Sequence, residues 1–143
     1  MPKILLAIDG SKHALRAAQK LVQAAAWYRD PPQVHMLYVH LPIPEVHGLH
    51  KVVNRKLIQR YYAEEGKAAL AACKRLLARA KIPFEAEVVV GPAAETIVAR
   101  ANKTGCDAIY MGTRGQTALA NMLLGSVATK VLHMAKMPVV VVR

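Results

Sequence analysis

Short apolar runs alternate with longer amphipathic stretches along the whole chain. The apolar runs are rich in Val, Ile, Leu and Met, and they predict strands at residues 3–8, 33–39, 84–90, 107–111 and 138–142. Between them, apolar positions recur at steps of three and four residues, which predicts helices after Ser11 and at 53–80, 93–103 and 126–136. Strands that are apolar throughout are typical of a parallel sheet covered on both faces. We therefore predict a single α/β domain over residues 1–143, with a doubly wound five-stranded parallel sheet and helices on both faces.

A long irregular connection is predicted after the second strand. Pro42, Pro44 and Gly48 interrupt both the helical and the strand pattern there. We expect the segment from Leu41 to Gly48 to act as a lid.

The stretch that follows the fourth strand carries three spaced glycines. Two residues separate Gly112 from Gly115, and nine separate Gly115 from the pair Gly125-Ser126. A bare backbone can approach a phosphate closely, and the first turn of the next helix offers free N–H groups at the positive end of its dipole. The pattern is neither a Walker sequence nor the dinucleotide fingerprint. Each glycine alone suits an ordinary turn or cap, but the joint spacing favours a phosphate loop.

Three features are predicted to meet at one edge of the sheet. Asp9 follows the first strand, Val39 ends the second, and the glycine loop follows the fourth. Ligands of open α/β sheets bind beyond the carboxyl ends of the strands, where the strand order reverses. An apolar slot, a carboxylate and backbone N–H groups together suit a nucleotide. Taken alone, Asp9 is better interpreted as a helix-entry residue that satisfies N–H groups together with Ser11.

Four segments of the chain resemble the universal stress protein family, in its ATP-binding branch. They are ILLAIDGS, CDAIYMGTRG, the glycine spacing described above and the ending MPVVVVR. The resemblance spans essentially the whole chain. It implies the strand order 3-2-1-4-5, an ATP pocket and commonly a homodimer.

The resemblance also implies which positions contact the nucleotide. The adenosine would lie near Ala7, Ile8, Asp9 and the main chain of Val39. The ribose would lie near Met111 and Gly112. The phosphates would contact Gly115, Gly125, Ser126 and Val127. Arg114 lies inside the loop, where it either reaches a terminal phosphate or is solvated. Ala128 stands where many relatives carry a hydroxyl residue, which puts one phosphate contact in doubt.

The positive net charge of the chain raises nucleic acid as a second candidate partner. The chain has 20 basic and 9 acidic residues, a net charge of +11, and nine of the basic residues lie between Lys51 and Lys81. We interpret this segment as the solvated face of one helix, because no exposed aromatics or nucleic-acid motif accompany it. Nucleic-acid binding is the weakest alternative. No run is long enough for a membrane span or a signal peptide, so we expect a cytoplasmic protein without a membrane partner.

Cysteine and histidine contribute little chemistry in this sequence. Cys73 and Cys106 are too few for a disulfide framework and are expected to be buried small residues. His47 and His50 lack the spacing of a zinc site, so we predict a structural role for them. Mg²⁺ accompanying ATP, held mainly by phosphates and water, is the metal we expect.

The main functional hypothesis is an ATP-binding stress or regulatory protein in which the nucleotide biases conformation or partner choice. Hydrolysis is expected to be slow or absent, because the loop offers no evident base. The alternatives are a nucleotide-free structural or chaperone-like dimer and a slow ATPase or adenylyl-transferring enzyme. We further expect a homodimer that pairs along the strand from Pro138 to Val142, and a protein partner that the sequence does not identify.

Overall fold

The computed structural model describes residues 1–44, 55–115, 121 and 123–143. Its strands are β1 Lys3–Ile8, β2 Gln33–His40, β3 Phe84–Val90, β4 Ala108–Gly112 and β5 Val139–Val142. Its helices are α1 Lys12–Ala25, α2 Arg55–Arg79, α3 Ala93–Thr104 and α4 Ser126–Met134. The predicted order of elements is confirmed. Of the predicted lid only Leu41 to Pro44 is described, and the rest of it, like His47 and His50, lies outside the described residues.

The sheet is entirely parallel, and its order is β3-β2-β1-β4-β5, as predicted. β1 lies at its centre, pairing with β2 on one side and with β4 on the other. The register places Leu6 opposite Tyr110, so the carboxyl ends of β1 and β4 lie side by side. The strand order reverses between these two strands, which is where open α/β sheets form their ligand crevice.

Side chains alternate between two cores, one on each face of the sheet. Ile4, Leu6 and Ile8 of β1 pack in the core under α1 and α2, whereas Leu5 and Ala7 pack in the core under α3 and α4. Cys73 lies in the first core and Cys106 in the second, and both are buried free thiols, as predicted. Among the described residues no helix qualifies as a membrane span.

The buried stripe of α2 differs from the sequence prediction. The helical period of this segment predicts a buried stripe of Ile58, Tyr62, Ala69, Cys73, Leu76 and Ala80. The structure buries Cys73 of that stripe together with Gly66, Leu70 and Leu77, and it packs Ala69, Leu76 and Ala80 against the same core as partly buried residues. The helix turns this side to the sheet because Gly66 allows a close approach to β3. A Cβ atom on Gly66 would lie only 2.4 Å from Cγ2 of Val88.

Candidate functional site

A cavity of about 270 Å³ opens at the carboxyl edge of the sheet. Its wall comes from the ends of β1, β2 and β4, from the loop after β4 and from the first turns of α3 and α4. The wall includes all of the predicted site residues, namely Ala7, Ile8, Asp9, Val39, Met111, Gly112, Arg114, Gly115, Gly125, Ser126 and Val127. It also includes Ala128, the position at which the sequence put one phosphate contact in doubt, and residues that were not predicted for the site, namely Ala14, Leu37, Ala93, Ile97 and Thr113.

One side of the cavity is an apolar slot between the sheet and α3. Ala7, Leu37 and Met111 project from three neighbouring strands and belong to the core that α3 and α4 cover. Ile97 closes the slot from the helix side, and small residues at Ala7 and Ala93 leave it open. A flat, uncharged ring would fit such a slot, because burial of apolar surface provides the attraction without requiring hydrogen bonds from the walls.

Asp9 combines a structural role with a place in the cavity wall. Its Oδ1 accepts a hydrogen bond of 2.9 Å from the N–H of Ser11, and Oγ of Ser11 accepts one of 3.2 Å from the N–H of Ala14 at the start of α1. This is the helix-entry role that the sequence left open. The other oxygen, Oδ2, faces Gly115, where an added Cβ atom would lie 2.7 Å from it. Asp9 therefore stands beside the glycine loop, as the predicted neighbourhood of β1 and β4 requires.

The glycine loop is closed by two short backbone hydrogen bonds. The N–H of Thr113 donates to the carbonyl of Val142 at 2.8 Å, and the N–H of Gly125 donates to the carbonyl of Thr113 at 2.6 Å. Gly125 is thereby held against the start of the loop, so that a Cβ atom on it would lie 3.2 Å from that carbonyl and 3.4 Å from Cα of Arg114. Gly115 and Gly125 both line the cavity, so among the described residues the loop presents glycine backbone to it at these two positions.

Gly112 has a packing role that its sequence position did not reveal. A Cβ atom there would lie 2.7 Å from Cβ of His13 and 2.8 Å from its carbonyl carbon. β4 and α1 can approach each other this closely only because residue 112 lacks a side chain. This contact alone explains the glycine, whether or not it also lies near a ligand.

α4 begins at the cavity, with Gly125 as its N-cap residue and Ser126 as its first residue. The first helical hydrogen bond runs from the N–H of Thr129 to the carbonyl of Gly125 at 3.0 Å. The N–H groups of Ser126, Val127 and Ala128 precede it and have no acceptor within the helix. These N–H groups lie at the positive end of the helix dipole, which borders the cavity and favours a bound anion.

A second helix, α3, also starts at this edge. Its N-cap is Pro92, which makes no side-chain capping bond, and Ala93 and Ile97 of its first turns line the cavity. The sequence predicted a helix from residue 93, directly after Gly91-Pro92, but it did not predict that this helix borders the site. That connection depends on β3 and β2 being adjacent, which is a tertiary relation.

Among the residues that the structure describes, few ionisable groups lie near the cavity. Burial, together with the nearby carboxylate of Asp9, raises the pKa of Cys73 to about 11, so this thiol is protonated at neutral pH and acts as a core residue. Within the described residues no group of three or more His, Cys, Asp or Glu side chains is arranged to hold a metal ion. The ionisable side chains of the described wall are Asp9 and Arg114.

Comparisons with known proteins agree with this architecture. The model of the universal stress protein family matches residues 1–143. Universal stress protein MJ0531 from Methanocaldococcus jannaschii is 36% identical over 141 residues, which cover 99% of this chain and 81% of that protein. The solved structure of hypothetical protein MJ0577, from the same organism, superposes with a TM-score of 0.83 at 30% identity and covers 99% of this chain and 94% of its own.

Two more distant structures share the fold and contain nucleotides. One is a universal stress protein in complex with cAMP, at 24% identity and a TM-score of 0.67, covering 99% of this chain and 97% of that one. The other is the universal stress protein from Archaeoglobus fulgidus in complex with dAMP, at 20% identity and a TM-score of 0.63, covering 100% of this chain and 98% of that one. With the family model matched from end to end and the same sheet order, the chain belongs to the universal stress protein family.

Proposed function

We propose that this protein binds an adenine nucleotide, and specifically ATP, in the cavity at the carboxyl edge of its sheet. The observation that carries the proposal is the composition of the cavity wall: an apolar slot at one side, and at the other a stretch of glycine backbone that leads into the start of α4. Complexes of more distant members of the family with cAMP and dAMP support the ligand class.

The adenosine would occupy the slot formed by Ala7, Val39 and Met111, with Asp9 accepting hydrogen bonds from its amino or hydroxyl groups. The phosphates would lie against Gly115, Gly125 and the first N–H groups of α4, where the helix dipole and backbone donors favour negative charge. Arg114 would reach the terminal phosphate. Mg²⁺ would be held mainly by the phosphates and water, because the described lining residues include one carboxylate, that of Asp9, and no complete set of protein ligands.

We propose binding with slow or no hydrolysis. Transfer of a phosphoryl group requires an aligned nucleophile, a base and charge placed on the transferring group. Of the two ionisable groups in the described wall, Arg114 is a cation, and Asp9 has one oxygen engaged by the N–H of Ser11. The bound nucleotide would therefore act by favouring one conformation, and hence one protein partner, over another.

Mass spectrometry of the denatured, freshly purified protein tests the proposal directly, since it identifies any nucleotide that is released. We expect ATP or a product of it. Titration of nucleotide-free protein with Mg-ATP should also raise the melting temperature, since a ligand at about 100 times its Kd stabilises the folded state by about 2.7 kcal/mol. Adenosine should bind more weakly, because it lacks the phosphates. Protein that releases no nucleotide and shows no thermal shift with Mg-ATP would contradict the proposal and favour a structural role.

A further inference from the structure

The two helical layers that cover the sheet differ strongly in charge. α1 carries Lys12, Arg16 and Lys20 and no acidic residue, for a net charge of +3. α2 carries seven basic and two acidic residues, for a net charge of +5. These two helices therefore hold +8 of the chain's +11, whereas α3 and α4 each carry a net charge of +1.

The cations of α1 and α2 form one surface, which we call the basic layer. Both helices pack over the same core on the same face of the sheet and contact each other. Nine of their ten basic side chains are exposed, and Lys74 is half-buried. On the other layer, Arg100 pairs with Glu87 at 2.9 Å and Lys130 pairs with Glu95 at 3.3 Å. The charge is thus concentrated on one side of the molecule.

Within the basic layer, three cations of α2 form a straight row. Arg60, Lys67 and Lys74 are spaced by seven residues, which is close to two helical turns. They therefore lie on one side of the helix at intervals of about 10 Å, over about 21 Å in total, with Glu64 between Arg60 and Lys67 on the same side and no acidic residue between Lys67 and Lys74. A nucleic-acid duplex carries a negative charge for about every 1.7 Å of its axis, so each of these long side chains would find a phosphate within reach.

We propose that the basic layer binds the phosphate backbone of double-stranded nucleic acid without reading its sequence. The sequence interpretation disfavoured nucleic acid because no exposed aromatics or nucleic-acid motif accompany the charges of residues 51–81. The structure exposes Tyr61 of α2 and places α1 beside that helix, which adds three more cations to the same layer. An anionic membrane fits less well, since a helix that binds a membrane buries an apolar face in lipid. In α2, Leu70, Cys73 and Leu77 are buried in the core. The large apolar side chains that this helix exposes, Leu57 and Tyr61, form one short i, i+4 pair and not a continuous apolar face.

The test uses fluorescence anisotropy with a labelled mixed-sequence DNA duplex of about two helical turns, or ~20 base pairs. We expect binding that weakens steeply between about 50 and 200 mM salt. Replacement of Arg60, Lys67 and Lys74 by Gln removes the row and should lower the slope of log K against log salt by about 2.7, at about 0.9 for each lost phosphate contact. The matched control replaces Lys103, Lys130 and Lys136 by Gln. It changes the net charge equally on the other side of the molecule and should leave the slope unchanged.

Each outcome of this experiment either supports or overturns binding of double-stranded nucleic acid by the basic layer. No association at the lowest salt concentration overturns the proposal, and so does an equal loss in both triple variants, which would reflect net charge alone. Binding to phosphatidylserine-rich vesicles without binding to the duplex would assign the layer to membranes instead. Circular dichroism of both variants establishes that they are folded. Nucleotide release from the purified protein is measured separately, so failure here leaves the proposed function untouched, and the reverse also holds.

Discussion

At the scale of single residues, substitutions at two glycines distinguish an effect on the candidate site from an effect on core packing. A Cβ atom on Gly115 would meet Oδ2 of Asp9 at 2.7 Å, whereas one on Gly66 would meet Cγ2 of Val88 at 2.4 Å. Gly115→Ala should therefore displace the carboxylate and narrow the cavity, lowering affinity for Mg-ATP at least tenfold. The displaced carboxylate also accepts the N–H of Ser11, so the free energy of unfolding should fall by at most about 1 kcal/mol, which is the net contribution of that one hydrogen bond. Isothermal titration calorimetry and urea denaturation measure the two effects.

Gly66→Ala is the matched control for this prediction. Its new methyl group overpacks the contact between α2 and β3, and it should destabilise the fold by about 1–3 kcal/mol. Nucleotide affinity should not change, because Gly66 does not line the cavity. If Gly115→Ala left affinity intact, or if both variants lost it equally, the predicted position of the phosphates beside Asp9 would be wrong.

At the scale of elements, the start of α4 provides a test in which stability and binding move in opposite directions. Ser126 is the exposed first residue of this helix. Ser126→Asp adds a negative charge at the positive end of the dipole, which should stabilise the helix by about 0.3–1 kcal/mol. The same charge would repel phosphates, so affinity for Mg-ATP should fall more than tenfold while affinity for adenosine stays nearly constant.

The control is Ser126→Asn, because the side chain of Asn is similar in size to that of Asp but carries no charge. It should bind Mg-ATP nearly as well as the unchanged protein. Thermal melting without ligand and calorimetry with Mg-ATP and adenosine separate the two effects. An equal loss of adenosine affinity in Ser126→Asp would show that α4 borders the base and not the phosphates.

The elements also show how far sequence reasoning reaches. The strands were predicted to within a residue or two because buried parallel strands are continuous apolar runs, and the strand order followed from the family resemblance. The buried side of α2 was predicted only in part. Cys73 lies in the core and Ala69, Leu76 and Ala80 pack against it, but Gly66 was missed, since a glycine gives no hydrophobic signal although its close approach to Val88 requires it. Leu37 and Ile97 were missed as cavity residues because only the adjacency of distant segments brings them there. Local patterns identify elements, whereas close packing between elements has to be observed.

At the scale of the whole molecule, the two edges of the sheet differ in how well they are protected from pairing. The β3 edge carries Glu85 and Glu87, and charged side chains on an edge strand discourage pairing with another chain. β5 is the uncharged run Val139–Val142. An uncharged apolar edge strand is normally covered or paired, so we predict that two copies of this chain associate along β5 about a two-fold axis.

Analytical ultracentrifugation of two edge variants tests this pairing. Val140 of β5 and Val90 of β3 have similar exposed fractions, 36% and 41%, so a lysine at either position introduces the same charge at a similarly open site on opposite edges. Val140→Lys should shift the protein to monomer, because two copies of the lysine would face each other across the two-fold axis at the centre of the pairing. Val90→Lys should remain dimeric. A dimer disrupted only by Val90→Lys would move the interface to the β3 edge despite its glutamates, and a dimer unaffected by either lysine would place the contact on a helical layer.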